Sequence, residues 1–538
     1  MTADQRKNAG PNAIGLRPNE KGEVGLQLRS TLILSLIAFA YFSALAFVAP
    51  TNPYDEGIVL YGGARVAAGD IPYRDFFTLY GPAQFWAIGA AFRVFGTAVL
   101  GARLYVAVIL AAVTGCAYFL AARLTSCRWA VLSWLVTLGA LVQLPFGYPA
   151  AAALLCALLG GIALGRFFER PRRGLLLWAG AGIGAAGLFR HDFGVYALLA
   201  SSLTLIAFSM TSERRCLTAL VRWGWMFAGV MLVAAPACIF LLAVVPFDLL
   251  YHDLWWFPTK VYPSVRSLPW LASWPDISLL AEGRYPPARY LMRWSVLVDQ
   301  HFPLLILVAA LWLLVAKLWR RQGFAAADWS ALHLCLLGLG LFNHGRIRVT
   351  LIQLAPATIV ASVFLAQLAF RSWISARRSC QLLTSMALVL FLAGPVGRLC
   401  IRPWAVVHAD RSTTAEQAQA VEFVRQHTEV GERIFVGNTR HDCVQGNDVM
   451  FYFLAQRHSA TRYHELHPGQ VTTLAVQTDI IGDLKRHHVR AVVLYDEEPS
   501  TEPNESAVSS GVKVLDDYLR QHYQCAASFG RYKILLAS

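Results

Sequence analysis

Long apolar runs separated by short breaks rich in arginine dominate the first three quarters of the chain, and their length decides what they are. A bilayer core takes about 20 residues of helix at ~1.5 Å rise each. Runs near that length lie at Thr31 to Val48, Ala98 to Ala122, Trp129 to Leu144, Ala150 to Phe168, Leu175 to Phe189, Phe193 to Met210, Trp223 to Val245, Phe302 to Ala316, Trp329 to Phe342, Val349 to Ala369 and Leu382 to Val396. They predict about eleven membrane-spanning helices. Pro82 to Phe95 is apolar but short, and reads as an interfacial or re-entrant helix. A crossing there would invert every later span.

After Gly397 the pattern changes: amphipathic helices predicted at 413–427, 448–456, 479–486 and 512–522 alternate with short β-branched strands at 433–437, 491–495 and 532–536. Thr413 and Glu416 have the spacing of a capping box. The expected organisation is a cytoplasmic tail over 1–29, a transmembrane domain over 30–398 with its first outer loop at 51–82, and an extracytoplasmic α/β domain over 399–538.

Composition supports the membrane class, with 56% hydrophobic and 15% charged residues and a mean hydropathy of +0.47. Lys and Arg cluster in alternate connections: Arg123 and Arg128; Arg170, Arg172 and Arg173; Arg214, Arg215 and Arg222; Lys317, Arg320 and Arg321; Arg371, Arg377 and Arg378. The positive-inside rule puts these on the cytoplasmic face together with the N-terminal tail. The polar loops then share the outer face. The net charge of +14 is explained by arginines at helix ends near anionic headgroups, so nucleic acid is not an expected partner. Ala44-Leu45-Ala46 resembles a signal cleavage site, but the long polar leader favours an uncleaved anchor. Of the ten cysteines, Cys400, Cys443 and Cys525 face outward, and Cys443 with Cys525 is the disulfide to look for in an oxidising compartment. No C-x-x-C spacing marks a metal site.

Chemistry concentrates in the first outer loop, TNPYDEGIVLYGGARVAAGDIPYRDFFTLYGP over 51–82, where Asp55 and Glu56 are adjacent carboxylates directly behind the first span. Arg65, Arg74, Arg190, His191, Lys260, Arg346 and Arg348 are candidates to hold a phosphate, each weighed against an interfacial anchor. Arg190-His191-Asp192 and Asn343-His344-Gly345-Arg346 are stronger than isolated arginines, because each packs polar groups into a tight outer turn. His252 and Asp253 open an aromatic stretch whose Trp255 and Trp256 suit a membrane belt. Asp75 either contacts substrate or pairs with Arg74 to fix the loop, and Tyr80 is a further substrate-binding candidate. Arg440-His441-Asp442 and Gly446-Asn447-Asp448 follow a strand, as ligand loops do, though turn chemistry accounts for them.

The loop segments P-Y-D-E-G, G-D-I-P-Y-R-D-F-F and L-Y-G-P resemble the first extracytoplasmic loop of bacterial GT-C glycosyltransferases of the family 39 type, akin to protein mannosyltransferases and the lipid A aminoarabinose transferase. The stretches HDCVQGNDVMFYFLAQR and TRYHELHPG also look like relatives in that group. The resemblance implies a multi-pass protein of the bacterial inner membrane with a periplasmic C-terminal domain. Its donor would be a polyprenyl-phosphate sugar and its acceptor a hydroxyl on a glycolipid, glycan or protein. Asp55 would be the general base of an inverting transfer of a hexose or pentose. For Glu56 three roles stay open: orienting the acceptor, holding a divalent cation such as Mg or Mn, or raising the pKa of Asp55. The competing reading is a polytopic transporter or lipid-linked glycan flippase. The chain lacks an evident internal repeat and has few acidic residues inside its spans to serve as a proton relay. A noncatalytic envelope scaffold is the third reading, and it would tolerate Asp55→Asn.

Overall fold

Every one of the apolar runs is helical in the computed structural model, which describes residues 20–211, 215–268, 287–374, 378–409, 411–498 and 500–538. The helices are α1 (Glu20–Val48), α2 (Asp55–Ala68), α3 (Pro82–Phe95), α4 (Val99–Leu124), α5 (Cys127–Leu141), α6 (Ala150–Glu169), α7 (Arg173–Phe189), α8 (His191–Ser209) and α9 (Arg215–Val244). A short α10 (Phe247–Tyr251), a π-helix (His252–Val261) and α11 (Tyr262–Arg266) follow, then α12 (Pro287–Trp319), α13 (Ala326–His344), α14 (Leu351–Ile374) and α15 (Arg378–Val407). Among the described residues, 8 helices are long and apolar enough to cross a membrane, and α5 and α7 are shorter apolar helices. The chain is a polytopic helical membrane protein.

Several boundaries differ from the sequence reading. Helix α1 begins within the stretch assigned to the tail; Arg6, Lys7 and Arg17 of that tail, with Arg214, Arg377 and residues 269–286, lie outside the described residues. Helix α15 runs past Gly397 with Pro395 and Pro403 inside it, because neighbouring helices can satisfy the backbone groups that a proline frees. Glycine lets helices approach closely in the bundle: a Cβ on Gly180 would stand 1.8 Å from the Met226 carbonyl oxygen of α9. Contacts between small residues of this kind replace the hydrophobic drive that lipid does not supply.

The C-terminal unit comprises α16 (Ser412–His427), β1 (Arg433–Asn438), α17 (Met450–Ala455), β2 (His458–Ser459), α18 (Leu474–Arg486), β3 (Ala491–Tyr495), α19 (Val514–His522), β4 (Tyr523–Phe529) and β5 (Tyr532–Ala537). Its sheet has the order β2-β1-β3-β5-β4, with β1 parallel to β2 and β3, and β5 antiparallel to β3 and β4. Strands β2 and β4 escaped the sequence reading. β2 has only two residues, and β4, reading YQCAASF, lacks β-branched residues. The capping box is not formed: α16 starts at Ser412, before Thr413, and Glu416 instead accepts the Arg531 backbone N–H at 3.2 Å. Cys443 and Cys525 are both free thiols, so the expected disulfide is absent.

The unit shares a core with the first outer loop. Ile58, Tyr61, Phe76 and Phe85 pack in one cluster with Val421, Ile434, Val436, Tyr452 and Ile534. Met450 donates its backbone N–H to Pro53 at 2.9 Å, and Phe77 donates to Arg462 at 2.9 Å. Gly57 of α2 lies against α17 so closely that a Cβ there would stand 2.4 Å from the Met450 nitrogen.

Candidate active site

The turn into α2 separates the two adjacent carboxylates. Asn52 Oδ1 accepts the backbone N–H groups of Tyr54 at 3.0 Å and Asp55 at 2.7 Å, and Asn52 N–H donates back to Glu56 at 3.0 Å. This reciprocal arrangement caps the helix and places both acids in its first turn, where the helix dipole favours negative charge. Glu56 then points into the bundle. It is 2% exposed and is held on both oxygens by Arg103 of α4, at 2.5 and 2.8 Å. Arg103 also donates to the carbonyls of Ala46, Ala49 and Pro50 and lies over the Phe146 ring. Glu56 therefore ties the loop to the membrane helices.

Asp55 is the opposite case. Its half-buried carboxylate has no hydrogen bond or ion pair among the described residues. Burial lifts its pKa above the ordinary value, the charges of His467, Arg266 and Arg348 pull it down, and Glu465 pushes it up. Arg348 is bound to both oxygens of Glu502, with Arg266 at 3.5 Å from the same carboxylate. Burial pushes the Glu502 pKa up, but these partners and Asn504 outweigh it and hold it at about 2. A cavity of about 460 Å³ opens beside this cluster, lined by Ser264, Ser267, Arg346, Ile347, Asn504 and Glu505 among others.

Two predicted turns meet. Arg190 binds both oxygens of Asp192 at 3.1 Å, and His344 Nδ1 reaches Asp192 at 2.8 Å. Arg190 also donates to the Tyr148 hydroxyl at 3.1 Å, and the Tyr148 ring meets Tyr80 edge-on at 6.2 Å. Burial is the main force raising the pKa of Tyr80 and of Tyr148, and the Asp55 charge adds to it in both. The Arg190 turn thus borders the Asp55 site through two tyrosines. His191 makes no hydrogen bond or ion pair in this cluster among the described residues.

Other predicted residues fix the fold around the site. Arg65 is buried, donating to Asp70 at 2.6 Å and to the Asp75 carbonyl at 2.8 Å, with His464 at 3.4 Å. Arg74 pairs with Asp75 at 2.9 and 2.8 Å, the loop-fixing alternative for Asp75. Asp253, fully buried in the π-helix, bridges His252 at 2.8 Å and Arg462 of the C-terminal unit at 2.8 Å. Lys260, Trp255 and Trp256 are exposed. Arg440 pairs with Asp442, while Gly446 packs against the Tyr54 ring and Asn447 holds the 464–466 backbone.

The segment TRYHELHPG supplies site residues that no local sequence pattern marks. Tyr54 O–H lies 2.9 Å from the nearer ring nitrogen of His467, and His467 Nε2 lies 3.3 Å from Glu465. Arg103, Tyr148 and Arg266 were also missed. The signal for Arg103 was available, because a lone charge inside an apolar helix must find a partner.

A shared cation between Asp55 and Glu56 does not fit this geometry, since Arg103 occupies both Glu56 oxygens. Among the described residues no group of three or more His, Cys, Asp or Glu side chains converges.

No protein-family model and no curated protein matches the sequence. Solved structures do. ArnT from Cupriavidus metallidurans bound to undecaprenyl phosphate gives a TM-score of 0.51 at 15% identity, over 96% of this chain and 98% of that one. The apo form of the same protein gives 0.54 at 14% identity, over 96% and 97%. The Archaeoglobus fulgidus oligosaccharyltransferase in complex with Zn and sulfate gives 0.53 at 11% identity, over 87% of this chain and 68% of that one. At these identities the likeness is one of fold: the chain shares its architecture with ArnT and with the archaeal oligosaccharyltransferase.

Proposed function

We propose that the chain is a membrane glycosyltransferase that moves a sugar from a polyprenyl-phosphate donor to an acceptor hydroxyl on the periplasmic face of the inner membrane, with Asp55 as general base. The observation that carries this reading is the unpaired, half-buried Asp55 carboxylate, whose pKa is raised, set among Arg266, Arg348 and the Arg190 cluster. A carboxylate in that state accepts a proton well, and arginines nearby favour a phosphate. The acceptor hydroxyl gives its proton to Asp55 as its oxygen bonds to the anomeric carbon. The bond from that carbon to the phosphate oxygen breaks, and the lipid phosphate leaves with the electron pair. A single displacement of this kind inverts the anomeric centre.

The fold likeness to ArnT, seen bound to undecaprenyl phosphate, supports a lipid-phosphate donor. The acceptor is a hydroxyl of a glycolipid, glycan or protein, and the transferred group a hexose or pentose. The test is a mass profile of envelope glycolipids, glycans and glycoproteins from cells lacking the chain, complemented with the wild type or with Asp55→Asn. Loss of one sugar mass, restored by the wild type alone, is the expected result. Restoration by both would remove Asp55 from the chemistry and favour transport or a scaffold.

A further inference from the structure

Glu465 is the residue around Asp55 whose state fold stability explains least. It is 0% exposed. One oxygen, Oε2, is held by His467, which is held in turn by the Tyr54 hydroxyl. The other, Oε1, is buried without any partner among the described residues. A carboxylate oxygen left unmatched inside a protein costs stability, and an apolar residue would serve packing better at that position. Nearby, the buried Nη1 of Arg266 stands in an ion pair with Glu502 at 3.5 Å but makes no hydrogen bond among the described residues. Tyr54, the residue before Asp55, lies within electrostatic range of Glu465, Arg266 and Tyr262, as well as Asp55. One unmatched acceptor and one donor held only in an ion pair thus stand around the Asp55 carboxylate. Aromatic rings of Tyr54, Tyr80 and Tyr148 border the same place.

We infer that Glu465, delivered by the C-terminal unit, is a substrate-binding residue whose Oε1 accepts a hydroxyl of the sugar being transferred, with Arg266 Nη1 donating to a neighbouring oxygen of the same ring. This rests on the glycosyltransferase reading. A sugar suits the pair because each hydroxyl both donates and accepts, and because its ring faces pack on aromatic side chains. His467 and Tyr54 are positioning residues that aim the carboxylate. The C-terminal unit is then part of the site, and not only a cover over it.

Binding and folding can be told apart at Glu465. Leucine removes the unmatched Oε1 together with the acceptor of His467, which keeps its contact with the Tyr54 hydroxyl, so Glu465→Leu should melt within a few degrees of the wild type. It should still lower product at least tenfold, as loss of a charge-assisted hydrogen bond does. Glu465→Gln keeps an acceptor in place and should fall between the two. The experiment uses cells lacking the chain that carry the wild type, Asp55→Asn, Glu465→Leu or Glu465→Gln. Envelope sugar masses are profiled, and each purified full-length chain is melted. Raising the level of the Glu465→Leu chain should recover product, which it should not do for Asp55→Asn. Wild-type product from Glu465→Leu would overturn the inference, as would a loss of product matched by a loss of melting temperature. Should Glu465→Leu fail to accumulate, Glu465→Gln decides, and full product from it overturns the inference. Full product from Asp55→Asn is a different outcome, overturning the transferase reading itself.

Discussion

Asp55 and Glu56 are neighbours in sequence with opposite physical fates, and two predictions follow from the contrast. Glu56 and Arg103 form a buried pair with further backbone acceptors, so removing one partner leaves the other charge unmatched. Arg103→Ala should cost about 3–5 kcal/mol, seen as a lowered melting temperature and poor accumulation in membranes. Asp55 has a raised folded-state pKa, so its proton is held more tightly folded than unfolded. The stability from that proton is present below the unfolded pKa and is lost as pH rises through the folded one. At neutral pH the ionised group is therefore a burden, and Asp55→Asn should melt at the same temperature or higher while losing about 100-fold or more in turnover. The same shift places the acid limb of the kcat/KM profile above the ordinary carboxylate range, because the base must be ionised to act. Arg266 pulls that pKa down, so Arg266→Ala should move the limb to higher pH; a limb that stays put or moves lower would contradict the assignment.

At the level of elements, apolar length made the spans legible, since a bilayer leaves backbone groups no option but internal pairing. The small sheet was legible only where aliphatic residues are dense, at β1, β3 and β5. The ends of helices were not. Prolines that terminate a helix in water remain inside α9, α12, α14 and α15, because packing in the bundle overrides their local preference. The contact of α2 with α17 depends on the bare backbone of Gly57. Gly57→Ala should push the two helices apart at a cost of about 1–3 kcal/mol, read as faster proteolysis of the C-terminal unit in the full-length chain.

On the scale of the whole molecule, the site joins segments far apart in sequence. The acidic loop and the Arg190 and His344 turns were visible as polar islands between apolar runs, and the fold brings the two turns together at Asp192. What remained invisible was the C-terminal contribution: Tyr54 meets His467 and Arg65 meets His464 across roughly four hundred residues, and no local pattern encodes such a meeting. The loop and the C-terminal unit share one core, so the unit is part of the architecture that holds Asp55. On the proposed function, Asp55 is a chemical rather than a structural residue. The most direct test of that role is sugar transfer and melting temperature measured together on purified full-length wild type and Asp55→Asn, reconstituted in vesicles with a bacterial lipid extract as the source of lipid-linked sugar. Transfer by the wild type is expected, with none above background by the variant and a variant melting temperature at least as high. Equal transfer by the two chains, or a variant that loses transfer only because it unfolds, would contradict that role.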